Sequence, residues 1–178
     1  MPQPVRRIEL STGDHQVRLV GPCVKFPRLS KPDGLVVHPS FDRLYRELKH
    51  QGRPLPIECF AIHAIDRADG QLKILEATRN LFLAFERWGT ENQSDPSGKD
   101  GPHFMIHVDE TGAATATATA MQRMPLSEAE EEMLLQGRWE LAKLYSAVSE
   151  DEALLVVKGG RADSGLEQGL DPILASVP

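Results

Sequence analysis

The chain has little cysteine, with only Cys23 and Cys59 among its 178 residues. Two cysteines cannot supply the disulfide framework of a small secreted domain, so both are predicted to be small buried residues in a reducing cytoplasm. No apolar run approaches the roughly 18 residues that a membrane-spanning helix needs. The N-terminus has no apolar core and no cleavage site, so no secretory signal is predicted. These absences favour a cytoplasmic protein with no membrane partner.

Motifs of the common enzyme classes are also missing. The chain has no G-x-x-x-x-G-K-[ST] phosphate loop, no nucleophile elbow and no cysteine–histidine pair with catalytic spacing. His103, His107 and Asp109 share one face of a predicted strand, which is one hypothesis for the metal site of a nuclease. No second ligand cluster supports that hypothesis, and stacking or hydrogen-bonding histidines are the alternative. We therefore predict no enzyme, no metal and no cofactor.

Charge changes steadily along the chain. Residues 1–60 contain 10 Lys and Arg against 6 Asp and Glu, whereas residues 126–178 contain 4 against 11. This gradient indicates an anion-binding front end and an acidic C-terminal region. The alternative is a solvated surface on which the charges are scattered by chance.

Two hairpins separated by a helix are predicted in the middle of the chain. Ile57–Ile65 reads as a strand, Asp69-Gly70 as a turn and Gln71–Leu75 as the returning strand. The apolar spacing from Thr78 to Trp88 predicts a helix. His103–Asp109 and the alternating Ala/Thr run from Ala113 predict the second hairpin. With a strand over Gln16–Val20, these elements predict a mainly β (α+β) fold: an OB-fold-like five-stranded antiparallel Greek-key barrel with a few short helices.

Further helices are predicted on either side of these hairpins. Ser40 is the expected N-cap of a helix over Phe41–His50, which would form a helical insertion near 40–52. Ser127 and Glu130 have capping-box spacing and predict a helix that runs to about Val148. From Ser149 onward, apolar patches alternate with Gly, Asp and Glu, which predicts a poorly packed flexible tail. The predicted domains are a barrel core over 1–125 and an acidic helix with a tail over 126–178.

The order of these segments resembles the single-stranded DNA-binding proteins of tailed phages. The matching segments are, in order, an opening strand, a central hairpin, the helix after it, the last hairpin and the exit from the core: Gly13–Pro22, Phe60–Ala77, Asn80–Trp88, Gly101–Val108 and Pro125–Ser127. The resemblance implies an OB-fold of the helix-destabilising type that coats transient single strands during phage DNA replication, recombination and repair. It also implies that the acidic C-terminal region contacts replication or recombination proteins in the host cytoplasm. Some members bind zinc through one His and three Cys, a set that this chain lacks.

A protein that binds single strands without sequence preference needs cations for the phosphates and aromatic faces for the bases. The predicted nucleic-acid-binding residues combine the two: Arg18, Lys25, Phe26, Arg28, Lys31, Arg43, Tyr45, Arg46, Lys49, His63 and Lys73. Phe26 is the leading candidate for stacking on a base. Tyr45 is as compatible with packing in the core as with stacking, and Lys73 is as compatible with an ordinary solvated lysine as with a phosphate contact. The competing hypothesis is a non-enzymatic phage adaptor or structural protein that binds another protein.

Overall fold

The computed structural model describes residues 4–118 and 125–159, and excludes the side chains of Thr117 and Ala118. The elements follow one another as β1 Gly13–Arg28, α1 Asp42–His50, β2 Ile57–Asp66, β3 Gln71–Thr78, α2 Arg79–Asn92, β4 His103–Val108, β5 Ala114–Ala118, α3 Glu128–Gly137, α4 Leu141–Leu144 and α5 Glu150–Val157. Both predicted hairpins are present, with β2 antiparallel to β3 and β4 antiparallel to β5. No helix in the described ranges is long and apolar enough to cross a membrane.

The strands form one five-stranded antiparallel sheet in the order β3-β2-β1-β4-β5. The mainly β prediction is confirmed at this level: the sheet is open and a few helices accompany it. Beside β3, Ile8 donates its amide hydrogen to the Ile74 carbonyl at 2.9 Å, and the Ile74 amide donates to the Arg6 carbonyl at 2.9 Å. The N-terminal segment therefore extends the sheet past β3 by an isolated parallel bridge.

The chain divides into two compact units, and the boundary differs from the predicted domains. The first unit consists of Met1–Lys25 and Cys59–Leu144, and the second consists of Phe26–Glu58 and Tyr145–Pro178. The barrel core was predicted to end at 125, but α3 and α4 belong to the unit that holds most of the sheet. α5 belongs instead to the unit that holds α1.

Alternation along the strands builds the main core of the first unit. Every second residue of a strand points to the same side, which places Val17, Leu19, Ile62, Ala64 and Ile106 on one face of the sheet. Leu81 and Phe85 of α2 pack on this face. The opposite face is covered at one place by α3, where Leu134 packs with three strand residues: Val20, Ile65 and Leu72.

The second unit has a separate core between α1 and α5. Leu44 and Leu48 of α1 pack with Ala153 and Val157 of α5, and Leu29 and Val37 complete the cluster. The prediction of a poorly packed tail from Ser149 onward does not hold for residues 149–159, because Ala153 and Val157 are buried. Residues 160–178 of that predicted tail lie outside the described residues.

The predicted helix ends were partly correct. Ser127 and Glu130 form the expected capping box, but α3 ends at Gly137 rather than near Val148. α1 begins one residue later than expected because its N-cap is Phe41, not Ser40. The cysteines also differ from the prediction, since Cys59 is buried but Cys23 is exposed.

Candidate nucleic-acid interface

Arg18 was predicted to be a phosphate-binding cation, but its side chain is completely buried in the first unit. Its Nη1 atom donates to the Leu19 carbonyl at 2.8 Å, and its Nη2 atom donates to the carbonyls of Gly98 at 2.6 Å and Lys99 at 3.0 Å. Burial lowers the pKa of Arg18, and the nearby charge of Arg67 lowers it further. Arg18 therefore holds the loop before β4 in place and is not part of an exposed cationic surface.

Phe26, the leading stacking candidate, is buried in the second unit. Its ring is 2% exposed and stacks on Tyr145, with ring centres 4.4 Å apart and an angle of 22° between the planes. The Arg28 guanidinium carbon lies 5.0 Å from the centre of the Phe26 ring. The ring is thus enclosed by protein neighbours, so Phe26 is not an open platform for a base. Arg28 is half-buried by the same arrangement.

His63 is also buried, at 4% exposure, in the first unit. Its ring lies nearly parallel to that of Trp139, with ring centres 6.1 Å apart. Burial lowers the pKa of His63, and the charge of Arg138 lowers it further, against a smaller opposing effect of a backbone hydrogen bond at Trp139. The predicted nucleic-acid contact from His63 thus has no exposed ring to act through.

Two of the predicted cations form ion pairs. The Lys73 ammonium lies 2.7 Å from carboxylate oxygens of both Asp66 and Asp69, across the β2–β3 turn. Arg43 contacts Glu150 at 3.0 Å and Asp151 at 2.7 Å, within the second unit. Acidic side chains already occupy the positions where phosphates would have to approach these two cations.

Besides the ion-paired Arg43, the exposed residues among the predicted set are Lys25, Lys31, Arg46 and Lys49, while Tyr45 is half-buried. Lys25 lies in the first unit with its ammonium 5.7 Å from the centre of the Phe60 ring. Burial raises the pKa of the Tyr45 phenol. Lys31, Arg46 and Lys49 all belong to the β1–β2 connection, residues 29–56, which also contains the ion-paired Arg43, so four exposed cations of the predicted set lie in one segment.

Two parts of this connection line a groove of about 450 Å³ in the second unit. Lys31 and Pro32 line one part of the groove, and Leu48 of α1 lines another. Arg53, beside them, pairs with Asp33 and donates to the Val157 carbonyl at 3.1 Å. The loop that carries Lys31 is thus held close to the C-terminal end of α1.

His103, His107 and Asp109, the residues of the nuclease hypothesis, each contact a different partner. His103 meets Arg67, with 2.9 Å between Nε2 and Nη2, whereas His107 Nδ1 lies 2.6 Å from an Asp14 carboxylate oxygen. Asp109 accepts hydrogen bonds from Thr111 and Ala113 within its own turn. Within residues 4–118 and 125–159, no group of three or more His, Cys, Asp or Glu has the arrangement of a metal site.

The sequence-based reasoning missed the role of Glu150 at the start of α1. The Arg43 amide donates to Glu150 Oε1 at 2.8 Å, the Leu44 amide donates to the same oxygen at 3.3 Å, and Arg43 Nε donates to Oε2 at 3.0 Å. A carboxylate is stabilised at a helix N-terminus by unpaired amide hydrogens and the helix dipole. The only sequence signal was the acidic run Glu150-Asp151-Glu152, which also fits the first turn of α5 itself.

Comparison with known proteins gave no match to a family model, to a curated protein or to a solved structure.

Proposed function

We propose that this chain is a single-stranded DNA-binding protein built on an OB-fold. The strand order β3-β2-β1-β4-β5 supports this proposal, because closing it between β3 and β5 gives the strand order of an OB-fold barrel. The position of α2, between β3 and β4, is where such barrels carry their helix. The order of strands and helix is the single observation that carries the proposal. A role in phage DNA replication, recombination and repair, and contacts with other replication proteins through the acidic C-terminal region, are part of the same proposal.

The proposed binding surface is the β1–β2 connection rather than the face of the strands. OB-folds bind oligonucleotides on the face of strands 2 and 3 and on the loop between strands 1 and 2. Here, Leu134 of α3 covers Ile65 and Leu72 on that face. The β1–β2 connection carries the exposed cations Lys31, Arg46 and Lys49, and it supplies positive charge where loops of this kind contact phosphates.

The test is a fluorescence-anisotropy titration with labelled oligo-dT, comparing the unmodified chain with the triple variant Lys31→Ala/Arg46→Ala/Lys49→Ala. Each phosphate contact to a single strand contributes a slope of about −0.7 to the dependence of log K on log salt. Losing three contacts should therefore weaken binding about 100-fold at roughly 0.1 M salt. Because the contacts are to the backbone, the loss should not depend on base sequence.

The matched control removes three exposed positive charges from the first unit, in Arg79→Ala/Arg87→Ala/Lys143→Ala. Equal weakening in both variants would show that only net charge matters, which contradicts a defined surface. Binding of the unmodified chain no tighter to oligo-dT than to a duplex of equal length would overturn the proposed function.

A second candidate function, protein binding, is favoured by a groove in the first unit. The groove measures about 620 Å³ and lies between the N-terminal segment and α3, with Leu72, Met133 and Trp139 among its lining residues. An adaptor would capture a protein partner there in a salt-insensitive manner, without affinity for oligo-dT. This function would be favoured over DNA binding if the unmodified chain retains a protein partner at high salt and the Met133→Asp variant does not.

A further inference from the structure

The cover segment, residues 125–144, lies on the sheet face opposite the main core of the first unit. Leu134 is buried against Val20, Ile65 and Leu72, and Leu126, Met133 and Trp139 pack around this cluster. Of the described residues of the segment, Leu134 is the one buried residue that it contributes to this cluster, so polar contacts at the margins of the cluster also affect whether the segment stays docked. Two histidines, His103 and His63, lie at these margins.

His103 has to be neutral for the observed contact to form. Its Nε2 atom lies 2.9 Å from Arg67 Nη2, and a guanidinium group can only donate hydrogen bonds. Nε2 must therefore accept, which places the ring hydrogen on Nδ1. Arg67 Nη1 in turn pairs with Glu130, the residue that closes the capping box of α3. The chain His103–Arg67–Glu130 thus ties the start of the cover segment to the sheet.

His63 lies under the other end of the cover segment. Its ring is buried and stacks against Trp139, which follows α3. The charge that faces it is the cation Arg138, also in the cover segment. A protonated His63 would be a buried cation close to another cation, so burial and the charge of Arg138 both disfavour the docked contact.

We propose that the cover segment is a proton-operated device, docked on the sheet while His63 and His103 are neutral and released when they take up protons. The charged groups facing His103 are Arg67 from the β2–β3 turn, Arg18 from β1 and Glu130 from α3. Two cations oppose one carboxylate there, so a proton on His103 adds repulsion and removes the acceptor for Arg67. A proton on His63 similarly repels Arg138.

The direction of the pH dependence follows from the two pKa shifts. Burial lowers the pKa of both histidines, and Arg67 with Arg18 lowers that of His103 further. In the released segment each pKa returns toward the ordinary value of about 6.5. Docking is therefore unaffected by pH above about 6.5, and weakens as pH falls below it, because the released state binds more protons. Two such groups can change the docking equilibrium by at most about 100-fold between pH 7.5 and pH 5.5.

The experiment is ¹⁹F NMR of the full chain labelled with 5-fluorotryptophan, titrated from pH 7.5 to pH 5. Trp139 reports the cover segment, whereas Trp88 contacts Phe104 in the main core. The expected result is that the Trp139 signal moves below pH 6.5 and the Trp88 signal does not. His63→Gln/His103→Gln should abolish the transition, while His107→Gln, an exposed histidine on the same strand as His103, should leave it unchanged.

Simultaneous movement of both tryptophan signals, or no movement of Trp139, would overturn the proposal. A transition that persists in the double variant would overturn it too. Histidine ¹⁵N spectra of the unmodified chain at pH 7.5 give a test that needs no variant. They should show His103 as the neutral form with hydrogen on Nδ1, and finding its hydrogen on Nε2 would refute the geometry on which the device depends.

Discussion

At the scale of single residues, Arg18 shows how far a side chain can depart from the role that its type suggests. β1 alternates, so Arg18 points away from the face on which Val17 and Leu19 pack, and a cation there was expected to meet solvent. The loop before β4 covers it instead and offers its carbonyl groups. Those partners lie about 80 residues further along the chain, so no local pattern could have indicated them.

Arg18→Met should lower the free energy of unfolding by about 3 kcal/mol, because one buried and two part-buried carbonyl groups lose a charged donor. Urea denaturation followed by circular dichroism measures the change. Arg87→Met, at an exposed position of α2, is the control and should change stability by less than about 0.5 kcal/mol. Equal stability of the two variants would mean that water replaces the Arg18 guanidinium without cost.

Gly101 illustrates a second constraint of the same loop. A Cβ atom on Gly101 would overlap the Arg18 guanidinium and the Pro96 carbonyl. Gly101→Ala should therefore lower the unfolding free energy by about 1–3 kcal/mol through overpacking. In Gly137→Ala, by contrast, the nearest atom is a Leu72 methyl carbon at 3.6 Å, an ordinary contact, so thermal unfolding should remain nearly unchanged. A stable Gly101→Ala variant would show that the loop can move away.

At the scale of elements, local periodicity located α1 well but could not find what caps it. The helix predicted over Phe41–His50 is present, and Leu44 and Leu48 face the core at helical spacing. The N-terminal amides of α1, however, are satisfied by Glu150, a residue of α5. Two short helices that are marginal alone thus stabilise each other through one carboxylate and a shared apolar cluster.

Glu150→Gln should lower the thermal midpoint at pH 7, because the amide group carries no charge for Arg43 and the α1 dipole. Burial raises the pKa of Glu150, but hydrogen bonds from Arg43 and from the amides of Leu44 and Arg43 outweigh it, so the pKa lies below its ordinary value. The advantage of Glu150 is therefore complete above that ordinary value and disappears as pH falls through the lowered pKa.

Thermal melts of the unmodified chain and of Glu150→Gln at pH 7 and pH 3 measure how the difference between their thermal midpoints depends on pH. Asp151→Asn serves as the control, since Asp151 contacts Arg43 only through an exposed pair. If Glu150→Gln lowers the thermal midpoint as much at pH 3 as at pH 7, Glu150 does not cap α1 electrostatically.

At the scale of the whole molecule, the arrangement of charge matters more than its total. The net charge is −6, and the cationic front end that the sequence indicated is partly neutralised after folding. Arg43 and Lys73 meet carboxylates, and Arg18 is buried. The exposed cations that remain in the β1–β2 connection are fewer than a sequence count suggests.

The salt dependence of oligo-dT binding should reflect this smaller number. Three phosphate contacts at about −0.7 each give a slope of about −2 for log K against log salt, whereas five would give about −3.5. Titrations at four salt concentrations between roughly 0.05 and 0.4 M determine the slope. A value near zero would contradict phosphate binding, and one of about −3.5 would mean that Arg43 and Lys73 exchange their carboxylate partners for phosphates.

The sequence alone determined the local elements: the two hairpins, the α2 and α3 starts and the position of α1. These depend on turn residues, alternation and capping groups that lie within a few positions of one another. Only the tertiary structure decided which of the predicted binding residues are exposed. Burial of Arg18, Phe26 and His63, and the capping of α1 by Glu150, come from contacts between distant segments. The physical reason is that a side chain's charge and shape are fixed by its type, whereas its solvation is fixed by what folds against it.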